Sequence, residues 1–243
     1  MNTDLWTNLA GRAAFIFEMI GIAVLLVIIA YVAEKMIQKR KQEKERILNT
    51  RKIAMVGVFS AIAAVVHLFD FSLFFFPEFY KLDFSEIPAL TGAFAFGPVA
   101  GVMIEFCKVL LKLLMKGTST AFVGDFANFV VGCSFVLPAT IWYQTHKNKH
   151  SAIMGLVLGT LVMTTLGTAF NAVYLLPKFA QLFELPLDQI IAMGASIHPS
   201  VQNVATFVVL CVAPLNLVKG FVVSLLTMLL YKKVARPLFG KEQ

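Results

Sequence analysis

Near the C-terminus of this 243-residue chain, in CVAPLNLVKG (residues 211–220), Asn216 and Lys219 stand three residues apart among apolar neighbours. On a helix that spacing puts a carboxamide and an ammonium on one face. An ionisable residue inside a membrane segment costs roughly 2.5–3.5 kcal/mol on insertion scales, so it either snorkels to an interface or serves a polar interior site. Lys219 is more than ten residues from either end of its apolar segment, 201–231, which favours the interior site. Pro214 removes one backbone hydrogen bond just before the pair.

Other polar residues repeat this spacing. Glu105 and Lys108 in GVMIEFCKVLLK share a helix face and can pair, which reads most simply as a structural ion pair between helices. Asp125 and Asn128 in GDFANF either cap a helix start or touch a ligand. Asn171, in GTAFNAVYLLP, falls late in another apolar segment and is a candidate second wall of a polar site. Gly57 with Ala61, and Ser60 with Ala64, form small-xxx-small pairs that suit either internal packing or the docking of a partner.

Enzymatic constellations are missing from the sequence. It has no G-x-x-x-x-G-K-[ST]; its single Gly-Lys, Gly240-Lys241, is followed by Glu, so no P-loop hydrolyses ATP here. HExxH and G-x-S-x-G do not occur, and His67, His146, His150 and His198 are scattered. An intramembrane enzyme using Glu105 or Asp125 as acid or base therefore has no motif behind it. Cys107, Cys133 and Cys211 lie singly in separate apolar segments and read as small buried hydrophobes, neither a disulfide framework nor a metal site.

The elements that must position these residues are membrane helices. The chain is 58% hydrophobic and 14% charged, where soluble domains carry roughly 45–50% and about 25%. A first span, AAFIFEMIGIAVLLVIIAYVA (13–33), precedes a basic run at 34–52, the reverse of a cleaved signal peptide. Further segments fall at 53–69, 86–97, 99–115, 122–143, 152–176 and 201–231, with Gly97-Pro98 ending the short second one. Seven helices from an outside N-terminus put 34–52, 144–151 and 232–243 in the cytoplasm, with eight, two and four Lys/Arg, fourteen of the twenty-one. That is the expected cytoplasmic bias, and it sends the C-terminus inside. The net charge of +7 thus sits at helix ends and gives no reason to expect nucleic acid. Two outside loops stand out: 177–200, with room for a short interfacial helix, and 70–85, whose six Phe and one Tyr suit interface anchors or a lid over a flat apolar ligand.

Five stretches taken in order resemble one family: YKLDFSEIPAL (80–90), FGPVAGVMIEFCKVLLKLLMKG (96–117), VGDFANFVVG (123–132), FNAVYLLP (170–177) and APLNLVKG (213–220). The chain is similar to the riboflavin-specific S component of energy-coupling factor (ECF) transporters, membrane subunits that capture vitamins for bacterial import. The resemblance implies an all-α integral membrane protein in the bacterial cell membrane: a six-helix S-component domain at 51–243, with 1–50 adding one transmembrane helix and a basic linker. It implies riboflavin, with FMN or flavin analogues as variants, bound near the outer side. The implied contacts are Lys81 in the closing loop, Asn128, Asn171, Asn216 and Lys219. Gly57, Ser60, Ala61 and Ala64 resemble the docking face for a transmembrane coupling subunit, which works with two ATPase subunits. No cofactor or metal is implied. An S component for thiamine or biotin is the alternative. Riboflavin has imide and carbonyl edges and a hydroxylated chain; a carboxamide and an ammonium can pair with both. With that role, Lys219→Met is expected to weaken binding while leaving the fold intact or slightly more stable.

Overall fold

The computed structural model describes residues 2–43, 46–77, 79–118, 120 and 122–239, with side chains from 15 to 230 among them. The Gly240-Lys241 pair lies outside these residues, as do the side chains of Arg12 and of the basic tail.

Helix α1 runs over Asn2–Lys41, well beyond the expected 13–33. Residues 34–41, EKMIQKRK, are good helix formers without Gly or Pro, so nothing stops the helix where the apolar run ends. Glu34 is buried, at 5% exposure. Its Oε2 accepts from the Val99 N–H (2.9 Å) in the first turn of α4 (Pro98–Lys116), and its Oε1 from Lys52 Nζ (3.3 Å). A helix start carries unpaired N–H groups and favours negative charge. Gly97 has no side chain with which to cap α4, and Glu34 does so from another helix. Gly97 also has φ +104°, and a Cβ there would lie 2.9 Å from the Glu34 carboxylate. Further along, α1 is held by Glu18, which accepts from Tyr174 Oη (2.6 Å) and pairs with Lys178 (3.0 Å).

Helix α2 (Thr50–Leu68) is capped by Asn49, which accepts from the Lys52 N–H (2.8 Å). A hairpin of two-residue strands follows, β1 (Phe71–Ser72) antiparallel to β2 (Lys81–Leu82). Helix α3 (Glu86–Phe96) has 11 residues and is about 16 Å long. After α4 come α5 (Val123–His146) and α6 (Lys149–Phe170), the latter capped by Asn148. A π-helical stretch, Asn171–Leu175, joins α6 to α7 (Leu176–Phe183), which α8 (Leu187–Ala195) follows. The last span is α9 (Val204–Phe207), a second π-helical stretch (Val208–Val212) and α10 (Ala213–Phe239). Both π-helical stretches lead into a proline, Pro177 and Pro214. Proline has no N–H to give the preceding turn, and the wider turn absorbs that mismatch.

Among the described residues, five spans are long and apolar enough to cross a membrane: 15–41, 50–68, 123–146, 149–183 and 204–230. Helices α3, short, and α4, with four charged residues, complete the all-α membrane bundle expected from the sequence. Its core holds Leu90, Phe94, Ile104, Phe135, Leu156 and Met163. Helices α5 and α6 approach closely because α6 offers glycines: a Cβ at Gly155 would lie 2.5 Å from the Ala139 carbonyl oxygen, and one at Gly159 2.7 Å from that of Phe135. The four small residues of α2 do not share one surface. Gly57 and Ala61 are exposed, whereas Ser60 and Ala64 are buried at 1% and 0%. At 100° per residue the two pairs occupy neighbouring stripes about 60° apart, and one stripe packs inward.

Candidate functional site

Lys219 is not a lone cation. Its Nζ donates to Asp83 Oδ2 (3.1 Å) and Glu86 Oε1 (2.9 Å), between β2 and the first turn of α3. Lys108 of α4 donates to Ser85 Oγ (2.8 Å) and Glu86 Oε1 (3.2 Å) and pairs with Glu105 (2.8 Å), the i,i+3 pair expected from the sequence. Ser85 donates to Asp83 Oδ1 through its backbone N–H (2.9 Å) and its hydroxyl. Asn128 of α5 donates its Nδ2 to Asp83 Oδ2 (3.0 Å). Three carboxylates and two ammoniums are thus buried together, from the chain after β2 and from α3, α4 and α10. Charges taken out of water are tolerated when paired and hydrogen-bonded in this way.

Above this network lies a cavity of about 310 Å³. Lys81, Asn128, Asn171, Asn216 and Lys219 all reach its wall. The hairpin loop supplies one side. Phe79 stacks on Phe179 of α7 (5.6 Å, 24°) and on Phe207 of α9 (6.4 Å, 3°). Tyr80 Oη donates to Asn171 Oδ1 (2.8 Å), and Asn171 Nδ2 donates to the Gly167 carbonyl (2.8 Å). Lys116 (2.6 Å) and Lys81 (3.5 Å) both pair with Asp70 at the foot of the hairpin. Asp70 is held below the usual carboxylate range: burial pushes its carboxyl up, but the Lys116 hydrogen bond and the Lys81, Lys116 and Lys112 charges outweigh it. The loop aromatics divide in their exposure: Phe76 and Phe79 pack inward, while Phe74 and Phe75 point outward at 93% and 44% exposure.

Several polar atoms at the cavity are buried without a partner: Asn216 Nδ2, Asn128 Oδ1, Asp125 Oδ2 and His67 Nδ1. Such groups cost about 1–3 kcal/mol each when left unmade, so a cavity that keeps them is prepared for a hydrogen-bonding ligand. Gly167 leaves room for one of them: a Cβ there would lie 2.9 Å from Asn216 Nδ2. Of the two roles open for Asp125 the helix cap is not made: its other oxygen pairs with Lys112 (2.5 Å), and the residue sits in the first turn of α5 at the cavity wall.

Sequence reasoning missed Asp83, Glu86, Tyr80 and His67. Asp83 and Glu86 repeat the three-residue spacing within KLDFSEIPA, a signal that was available, but their cation lies 136 and 133 residues away. The pairing also overturns the expected tolerance of Lys219→Met, because the substitution leaves two buried carboxylates short of a cation.

A helical membrane bundle with a partly enclosed cavity of mixed polarity, walled by an aromatic hairpin, is a membrane-embedded solute-binding protein. Residues 51–231 match the family described as the ECF transporter, substrate-specific component, and the chain belongs to that family. Riboflavin transporter RibU of Staphylococcus aureus (strain TCH60) is 34% identical over 194 residues, covering 80% of this chain and 95% of that protein. Riboflavin transporter FmnP of Bacillus subtilis (strain 168) is 30% identical, with 77% and 93% covered. A solved structure of the S component of a bacterial ECF transporter is 34% identical, covers 77% of this chain and 97% of that one, and matches with a TM-score of 0.60. The family match begins at Arg51, so α1 lies outside it.

Proposed function

We propose that this chain is the riboflavin-capturing subunit of an ATP-driven ECF importer. The cavity carries the reading: unpartnered donors and acceptors face apolar and aromatic walls, the combination a planar ring with imide and carbonyl edges requires. The names of the relatives point to the same ligand. Asn171, Asn216, Asn128 and Lys219 bind its polar edges. The hairpin carrying Phe79, Tyr80 and Lys81 closes over it. FMN and flavin analogues fit the same ring site.

Energy comes from outside the chain, since the sequence contains no P-loop. A transmembrane coupling subunit docks on the exposed stripe of α2 that includes Gly57 and Ala61, and two ATPase subunits complete the importer. Ser60 and Ala64 support that stripe from inside. The charge bias supports an N-terminus outside the cell membrane and a C-terminus in the cytoplasm. Helix α1 is an addition to the body formed by 51–243, clipped to it through Glu34.

Purification from the native membrane tests the ligand. The protein should be yellow, and denaturation should release one flavin per chain. Release of thiamine or biotin in its place would overturn the assignment.

A further inference from the structure

Helix α1 creates a second site. It packs against α4 and α5 but stands off from α6, leaving a groove of about 640 Å³ between α1, α5 and α6. Ile22 and Ile29 of α1, Val130 and Ile141 of α5, and Val162 and Leu166 of α6 define its extent. The lining is apolar; its one hydroxyl, Ser134, already donates to the Val131 carbonyl (2.7 Å). Along α5 the groove runs from Val130 to Ile141, about 16 Å, close to the ~15 Å of one leaflet of hydrocarbon.

The two ends differ in charge. Towards the start of α1, Lys178 is already paired with Glu18 (3.0 Å). At the other end, Lys41 closes α1 and Lys147 caps α5, near enough for their charges to repel. Among the described residues neither makes an ion pair, and the acid among them whose charge reaches Lys41 is Glu43. Both lie at helix C-termini, but a helix end carries only about half a negative charge, so each lysine stays net positive. Lys147 is six residues, about 9 Å, beyond Ile141, near the ~5–8 Å depth of the headgroup layer.

We propose that this groove holds one acyl chain of an anionic phospholipid whose phosphate is bound by Lys41 and Lys147. Apolar length and cationic end match the two halves of such a molecule. The site exists only because α1 is present, which gives the added helix a role separate from vitamin capture.

The test uses the full chain in detergent, with lipid retention read by native mass spectrometry. The probes are phosphatidylglycerol, phosphatidylcholine with the same acyl chains, and glycerol 3-phosphate. Phosphatidylglycerol should be retained about 30-fold better than phosphatidylcholine, roughly a fivefold factor per lysine near a lipid phosphate. Lys41→Gln with Lys147→Gln should abolish that preference. Leu166→Trp, at an exposed position that fills the groove, should lower retention of both lipids, with helicity by circular dichroism as the folding control for both variants. Equal retention of the two lipids overturns the proposal, as does an unchanged preference in the double lysine variant. Displacement of phosphatidylglycerol by equimolar glycerol 3-phosphate reduces the site to a surface anion contact and also overturns it.

Discussion

At the scale of single residues, Lys219 and Asn216 separate binding from folding. Lys219 holds Asp83 and Glu86 as well as facing the cavity. Lys219→Met should therefore lower riboflavin affinity by about 10- to 150-fold, the range for a hydrogen bond from a charged group. It should also destabilise the protein by about 3–5 kcal/mol, the cost of removing one partner of a buried pair. Adding Asp83→Asn should restore much of the stability and none of the affinity, as read by thermal unfolding and flavin fluorescence titration. Asn216 behaves differently because its Nδ2 has no hydrogen-bond partner within the protein. Asn216→Leu should leave the unliganded protein as stable or more so, while affinity falls by about 1–2 kcal/mol. A loss of stability there would mean that the amide is structural. Asn216 and Lys219 were recognisable from their spacing alone, since two polar groups on one apolar helix face need a reason to be there. Asp83 and Glu86 were not, because in a loop or at the very start of a helix an acidic residue carries no desolvation signal until its burial is known.

At the scale of elements, the hairpin and α2 each make a separate prediction. Asp70 ties the hairpin to Lys116 and Lys81, and its carboxyl is held below the usual range. A carboxyl lowered in the folded state contributes its stability above the unfolded value near ~3.9 and loses it as pH falls through the folded value. The flavin release rate should therefore be flat from about pH 8 to 5 and rise below about pH 4. Asp70→Asn should release faster at neutral pH and lose that acid limb in stopped-flow fluorescence. On α2, Gly57 faces open space and Ala61 is exposed. Gly57→Leu with Ala61→Leu should leave riboflavin affinity at the parent value and impair co-purification with the coupling subunit. Lost affinity with intact assembly would place the docking face elsewhere. Element existence was legible from apolar length, and so was the short helix before Gly97. Which stripe of α2 faces out was not, because stripes about 60° apart are both small-residue and only their neighbours distinguish them.

At the scale of the whole molecule, the proposed function assigns capture to this chain and energy to its partners. Vesicles containing only this protein should bind riboflavin and show no uptake against a gradient; adding the coupling and ATPase subunits with ATP should start it. Concentrative uptake by the chain alone would remove it from the ECF scheme. The bundle also has a seventh helix outside the family match, fixed at two points by Glu18 and Glu34. Glu34 opens the basic run 34–52 at the edge of the first apolar segment, yet it is buried. Its burial follows from Gly97, 63 residues away in sequence, which leaves the start of α4 uncapped and open to an outside carboxylate.

The sequence by itself determined the membrane class, the approximate places of the apolar segments, the polar positions that needed an explanation and the lack of a P-loop motif, because each depends on composition or spacing within one segment. Tertiary structure alone decided the partners. The three carboxylates around two lysines, the cavity shared by five helices and a hairpin, and the carboxylate of α1 capping α4 all join residues far apart in the chain. Hydropathy and helical period are local quantities. A buried charge is settled by which other charge reaches it, and that is fixed only when the helices pack.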